Sequence, residues 1–356
     1  MIINHPFYLE DVKRTAQLAL PWEKLQDSSI LITGAAGMIG SFLIDVLMEK
    51  NNGSESLHCR ILAMGRDAKR AKKRFGEYWS APDFQFVEGN VNEPVCAPQA
   101  EYVFHAASNT HPVAYATDPI GTITANIIGT NNLLNYAASC NAKRFVFASS
   151  NEIYGENRGD VEFFDESYCG YIDCNTLRAG YPEGKRCGEA LCQAYIRQKE
   201  LDCVIARFTR SYGPSVKPDD TKAISQFIRR GVLGEDIVLK SAGTQYYSYS
   251  YISDTVSGLL YILLCGKSGE AYNVADERSD ITLKDLATVI ADYTGKQVVF
   301  EFPDEVESAG YSRATKARLD GSKLKKLGWQ PQYEIRTGII RTVSVLKDLQ
   351  VGVIQL

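Results

Sequence analysis

The 356-residue chain is poor in histidine, with 4, and in tryptophan, with 3. It holds 9 cysteines, an odd number, and no two of them stand in C-x-x-C spacing. With no histidine placed to complete a cysteine cluster, a structural zinc site is not expected, and no metal is assigned. Cysteines spread along a chain this long read as reduced thiols, so a cytoplasmic location is expected. No apolar run approaches the roughly 18 residues that span a bilayer. The opening MIINHPFYLEDVKRT carries acids early and lacks the apolar stretch of a signal peptide. A charge excess is missing too: 39 Lys and Arg against 43 Asp and Glu leave −4. That balance gives no global footprint for nucleic acid or an anionic membrane. Internal repeats and low-complexity tracts are absent. What is present is an ordinary globular mixture, 45% apolar and 23% charged. The length suits one large or two modest domains.

Residues 1–27 read as an N-terminal appendage. FYLEDVKRTAQLAL has a weak helical period through Tyr8, Val12, Ala16 and Leu20 before Pro21 stops it, which predicts a helix packed on the body. From residue 28 the pattern changes. Apolar, β-rich runs at 29–33, 59–64, 84–89, 102–107, 144–150 and 202–208 alternate with helical stretches. Strands that are apolar throughout, alternating with helices, predict an α/β fold: a Rossmann-type, doubly wound parallel sheet over residues 28–210. Beyond about 210 the alternation loosens into shorter pieces (DIVLK, YSYSYIS, AYNV, QVVFEF and three helical stretches). Residues 211–356 are therefore expected to be mainly a smaller, mixed α/β substrate lobe, with some strands and helices returning to the main sheet.

The segment Thr33-Gly34-Ala35-Ala36-Gly37-Met38-Ile39-Gly40 lies between the first predicted strand and a helix. Gly34 permits a tight turn, and Gly37 lets the backbone of Met38 and Ile39 approach a pyrophosphate at the helix start. Gly40 allows close helix–sheet packing. Its place after the first strand of a β/α alternation gives this pattern its meaning as a dinucleotide turn. At the end of the second strand stands Met64-Gly65-Arg66-Asp67, with no acid directly on the strand end. Arg66 opens a basic run that is otherwise read as a solvated helix face; Arg66 itself is assigned to a 2′-phosphate, so NADP is expected over NAD, with Asp67 a rival for the ribose. Asn90 and Val91 are placed to touch the adenine. Ala106, Ala107 and Ser108 follow the fourth strand beside the nicotinamide path.

Tyr181-Pro182-Glu183-Gly184-Lys185 puts a phenol at a helix entrance and an ammonium one turn on, on the same face. A nearby ammonium and the positive end of a helix favour the phenolate, making Tyr181 a candidate acid/base for a hydroxyl proton. The fifth strand ends in Ser149-Ser150-Asn151-Glu152, at the carboxyl edge where open α/β sheets bind ligands. Ser150 is a candidate to hydrogen-bond the reacting oxygen, and Glu152 is a second acid/base candidate.

The set TGAAGMIG, HAAS, SSNEIYG, YPEGK, RFTRSYGP and SKLKKLGWQP, over about residues 28–345, resembles extended short-chain dehydrogenase/reductases of the NAD-dependent epimerase/dehydratase type. The resemblance implies an enzyme that oxidises a nucleotide-diphosphate sugar at C4. Tyr181 would be its acid/base, Lys185 would hold the nicotinamide ribose and tune Tyr181, and Ser150 would complete the triad. Glu152 stands where 4,6-dehydratases and UDP-glucuronate decarboxylases keep a glutamate. Asn151 replaces the dehydratases' proton-donating aspartate. The stretch Arg178–Arg186 is similar to the RACYDEGKR-like segment of the decarboxylases. The order of expectation is thus decarboxylase, then 4-epimerase, then 4,6-dehydratase. Arg210 stands where the family commonly has asparagine, and Tyr247 where it has a diphosphate-clamping arginine; Arg210 or Arg313 could restore that charge. Asn151, Arg210 and Tyr247 are assigned to the substrate. A homodimer is also implied. An NADPH-dependent reductase of a different substrate and a non-enzymatic dinucleotide-binding protein are the competing readings.

Overall fold

A computed structural model describes residues 2–53, 56–110, 112–217, 220–301 and 315–354. Arg313 lies outside the described residues.

In chain order, helix α1 (Pro6–Ala16) precedes β1 (Ser29–Thr33), α2 (Met38–Asn52), β2 (Arg60–Gly65), α3 (Ala68–Phe75), β3 (Phe84–Glu88) and β4 (Tyr102–His105). Two helices follow, α4 (Pro112–Thr117) and α5 (Pro119–Ser139), then β5 (Arg144–Ser150), α6 (Gly180–Lys199) and β6 (Cys203–Phe208). The second half contains β7 (Arg210–Tyr212), α7 (Ala223–Leu233), β8 (Ile237–Leu239), β9 (Tyr246–Tyr251), α8 (Ile252–Cys265) and β10 (Ala271–Val274). It continues with β11 (Asp280–Thr282), α9 (Leu283–Thr294), β12 (Val298–Phe300), β13 (Lys316–Ala317) and α10 (Ile335–Ile354).

Seven strands form the main sheet in the order β10-β6-β5-β4-β1-β2-β3. Every neighbouring pair is parallel. The strand sequence explains it: SILIT, VFH and FVFASS are buried nearly throughout, as strands covered by helices on both faces must be. The chain order reverses between β1 and β4, so the carboxyl ends of these strands open a crevice there. The six strands expected from the apolar runs are all present. The seventh, β10, comes from the fragment AYNV in the second half and pairs along β6. A smaller sheet sets β9 beside β7 and β13 in parallel and beside β11 in antiparallel, and β8 pairs with β12.

The N-terminal segment is tied in more deeply than a surface helix would be. The Tyr8 hydroxyl of α1 donates to Asp45 of α2 at 2.6 Å. Three residues on, the buried Asp11 carboxylate accepts from Tyr251 and Tyr333, each at 2.7 Å, and pairs with Arg341 at 2.8 Å. Arg74, at the end of the basic run, is likewise no solvated group: it pairs with Asp45 and donates to the Tyr8 hydroxyl. Its neighbours Lys69, Arg70, Lys72 and Lys73 are exposed, as expected of that face.

Candidate active site

One cavity of about 1060 Å³ runs along the carboxyl ends of the main sheet and beneath β7–β9. All the residues assigned from sequence to cofactor, catalysis or substrate line it. Its walls carry eight Arg and Lys side chains against four Asp and Glu, a potential suited to a polyanion.

At the glycine turn, Gly34 has φ +67°, and a Cβ there would stand 3.0 Å from the Ala106 carbonyl and the Ala107 nitrogen. A Cβ on Gly40 would meet the Gly34 carbonyl oxygen at 2.7 Å. Gly34 is required for its left-handed backbone as well as for close approach, and Gly40 for close approach. Helix α2 starts at Met38 without any side-chain cap and without an acid in its first turn. Its first N–H groups thus face the cavity with no internal acceptor competing for them, which fits a pyrophosphate. The turn is braced from behind. The Thr33 hydroxyl accepts from the Ala106 and Ala107 amides at 3.1 and 3.2 Å and lies 2.9 Å from His105 Nδ1. An oxygen that accepts twice donates its proton to that nitrogen, which leaves Nε2–H to face Thr130 at 3.2 Å. Burial pushes the His105 pKa down to about 3, so the ring is neutral.

Arg66 is exposed on the cavity rim after β2. Asp67 caps α3, accepting the Arg70 amide at 2.9 Å through one carboxylate oxygen, and also lines the cavity. Asn90 accepts the Asn92 amide at 3.2 Å, and Val91 fills the notch left by Gly129. Ala106, Ala107 and Ser108 form the wall between that region and the catalytic candidates.

Tyr181 enters α6 in its first turn and is 6% exposed. Helix α6 lies close to β5 and α5 because Gly188 abuts Phe147 and Gly184 abuts Asn126. Burial pushes the phenol up to about 12, while a hydrogen bond with Ser150 pulls it back. Ser150 itself caps the following 3-10 turn, accepting the Glu152 amide at 3.2 Å. The Lys185 ammonium lies 5.8 Å from the Tyr181 ring centre and donates one hydrogen bond to the Ala148 carbonyl at 2.8 Å. It is buried, and desolvation draws its pKa down to about 7. Glu152 pairs with Arg178 at 2.6 Å.

On the opposite wall the Arg210 guanidinium lies 3.5 Å from the centre of the Tyr247 ring. One of its terminal nitrogens is buried without a hydrogen-bond partner, as is the neighbouring Thr209 hydroxyl. Asn151 is buried at the base of the same space. Among the wall residues without an assignment from sequence, Arg178 and Tyr115 lie beside the Tyr181–Glu152 group. Arg178 stands inside the tyrosine motif without a role there. Tyr115, in PVAYAT, offers no pattern; it stacks on Tyr181 at 5.1 Å. No group of three His, Cys, Asp or Glu among the described residues could hold a metal, and no helix among them is long and apolar enough to cross a membrane.

A family model described as NAD dependent epimerase/dehydratase matches residues 30–275. The chain is 32% identical over 311 residues to UDP-glucuronic acid decarboxylase 6 of Arabidopsis thaliana, covering 87% of this chain and 86% of that one. It is 31% identical over 319 residues to UDP-glucuronic acid decarboxylase 1 of Xenopus tropicalis, covering 89% and 72%. Among solved structures, a UDP-glucose 4-epimerase of Thermotoga maritima superposes with a TM-score of 0.77 at 24% identity, covering 90% and 99%. A UDP-glucuronic acid 4-epimerase of Bacillus cereus gives 0.77 at 22%, with the same coverage. These two likenesses establish the fold.

Proposed function

The chain belongs to the NAD dependent epimerase/dehydratase family, and from that premise we propose that it oxidises nucleotide-diphosphate sugars at C4 through Tyr181. The observation that carries this reading is the convergence of an uncapped glycine turn and the Tyr181–Ser150–Glu152 group on one cation-lined cavity. Residues 28–210 would hold the dinucleotide and residues 211–356 mainly the sugar nucleotide. A nicotinamide dinucleotide held at the Gly34–Gly40 turn would supply the hydride acceptor for this oxidation and the donor for its reversal. Tyr181 takes the C4 hydroxyl proton as that hydride leaves, and Ser150 orients the same oxygen. Lys185 holds the ribose. Glu152 moves a proton in the second step. Asn151, Arg210 and Tyr247 face the substrate, with the open Arg210 nitrogen available to an anionic group.

Decarboxylation of a UDP-uronic acid is the leading reaction, supported by the relatives at 31–32% identity. C4 oxidation then makes a β-keto acid that loses carbon dioxide. Incubation with a panel of UDP-, dTDP-, CDP- and GDP-sugars, followed by product mass, decides it. Loss of carbon dioxide supports the decarboxylase, an unchanged mass the epimerase, and loss of water the dehydratase. Stoichiometric consumption of nicotinamide would replace all three with a net reductase.

NADP is the preferred cofactor in this reading, because Arg66 is free to reach the rim while Asp67 is engaged as a helix cap. Arg66→Ala should weaken NADP binding roughly tenfold or more while leaving NAD nearly unchanged, measured by fluorescence titration. Ile120 at 75% exposure on α5 and Leu177 at 73% just before α6 support a homodimer joined through these helices. Nine free thiols support the cytoplasm as its compartment.

A further inference from the structure

We propose that Arg178 is the positioning residue for both proton-transfer groups, gripping Glu152 directly and bracing Tyr181 through Tyr115. This rests on the reading of Tyr181 as the acid/base. Three planar groups stand in series. The Arg178 guanidinium lies 4.6 Å from the Tyr115 ring centre, and the Tyr115 ring lies 5.1 Å from that of Tyr181 with 29° between their planes. The edge of the same guanidinium meets Glu152 at 2.6 Å. Tyr115 and Tyr181 are 7% and 6% exposed, so the two rings are buried, while the guanidinium is partly open to the cavity. A flat, delocalised cation suits that slot, because it stacks and forks at once where an ammonium does neither.

The groups facing the Tyr181 phenol come from four directions. Ser150 ends β5 and Glu152 follows it, Tyr115 comes from α4, Arg178 from the 3-10 turn at Leu177–Ala179, and Lys185 from one turn along α6. Glu152 raises the phenol's pKa and Arg178 lowers it, whereas the Lys185 ammonium is turned to the Ala148 carbonyl. Arg178 thus adds a second opposing charge beside that of Lys185, whose ammonium lies 5.8 Å from the ring centre. Its second terminal nitrogen is buried and unbonded. The guanidinium is therefore held by Glu152 and the stack, and that N–H remains available to a ligand oxygen.

The test uses the full chain carrying Arg178→Met, Arg178→Lys, Tyr115→Phe or Tyr115→Ala. Each is compared with wild type in two ways. One is the pH profile of hydride transfer, read by nicotinamide absorbance in a single turnover. The other needs no sugar: phenolate absorbance of the cofactor-loaded protein against pH, minus that of the same variant carrying Tyr181→Phe. Arg178→Met should move the Tyr181 titration and the acidic limb of the rate profile up by about one pH unit, and lower kcat about tenfold with KM little changed. Arg178→Lys should recover part of the shift, and Tyr115→Phe most of the rate. Tyr115→Ala should reproduce the Met variant's loss of rate. A purely structural role would lower rate and stability and leave both titrations where they were; coincident titrations overturn the proposal. If Arg178→Met does not fold, the Lys and Tyr115 variants separate the same two outcomes. A wild-type protein that transfers no hydride from any sugar defeats the proposed function, while the phenolate titration still tests Arg178.

Discussion

Lys185 is buried at the cavity wall, and desolvation lowers its pKa from 10.5 to about 7. The unfolded chain therefore binds this proton more tightly than the folded one. The contribution of Lys185 to stability is present above about pH 10 and lost as pH falls through about 7. Lys185→Met should flatten the rise of unfolding free energy across that window, measured by urea melts at stepped pH. Tyr181 is governed by the same burial with the opposite sign of shift. Tyr181→Phe keeps the stack on Tyr115 and removes only the hydroxyl. Turnover should drop by about 10²-fold or more while nicotinamide binding, followed by calorimetry, persists. Tyr181 and Lys185 are legible in the sequence because their spacing is helical. Arg178 and Tyr115 are not, since a stack of residues 115, 178 and 181 joins three elements and leaves no period to read.

At the scale of elements, α6 delivers the phenol because two glycines let it sink. A methyl group at Gly188 would stand 2.3 Å from Phe147 Cζ, deep in the β5 core. Gly188→Ala must push the helix outward or twist the ring. It should cost about 1–3 kcal/mol, read by denaturant melts, and lower kcat more than cofactor affinity, since the glycine turn lies on α2. The strands are readable where both faces are buried, as in SILIT and FVFASS. AYNV reads as a short strand but cannot be placed from sequence, because four residues give no sign of which sheet they join. Asp67 is ambiguous for a similar reason: a carboxylate before a helix reads equally as a cap or a ribose ligand, and only the cap can be read from the Arg70 amide.

The whole molecule is laced by residues far apart in sequence. Asp11 bonds Tyr251, Tyr333 and Arg341, so helix α1 fastens the strand that carries Tyr247 and Tyr249 to the last helix. Tyr8, one turn earlier, fastens the same helix to α2, whose first turn faces the cavity. Local pattern predicts the helix but has no means of reading partners 240 or more residues away. Asp11→Ala leaves two phenols and a guanidinium facing an empty acceptor site. It should cost about 3 kcal/mol, seen as a lower midpoint in thermal or urea unfolding.

The strand that the second half returns to the sheet sets where this polypeptide can be divided. β10 covers the flank of β6, so a fragment severed after residue 210 would leave Cys203–Phe208 with a bare row of amides and carbonyls. Such a rim recruits strands from other molecules. The first half made alone should precipitate, co-expression with residues 211–356 should rescue it, and chimaeras between relatives will work only when the donor of β6 also donates β10.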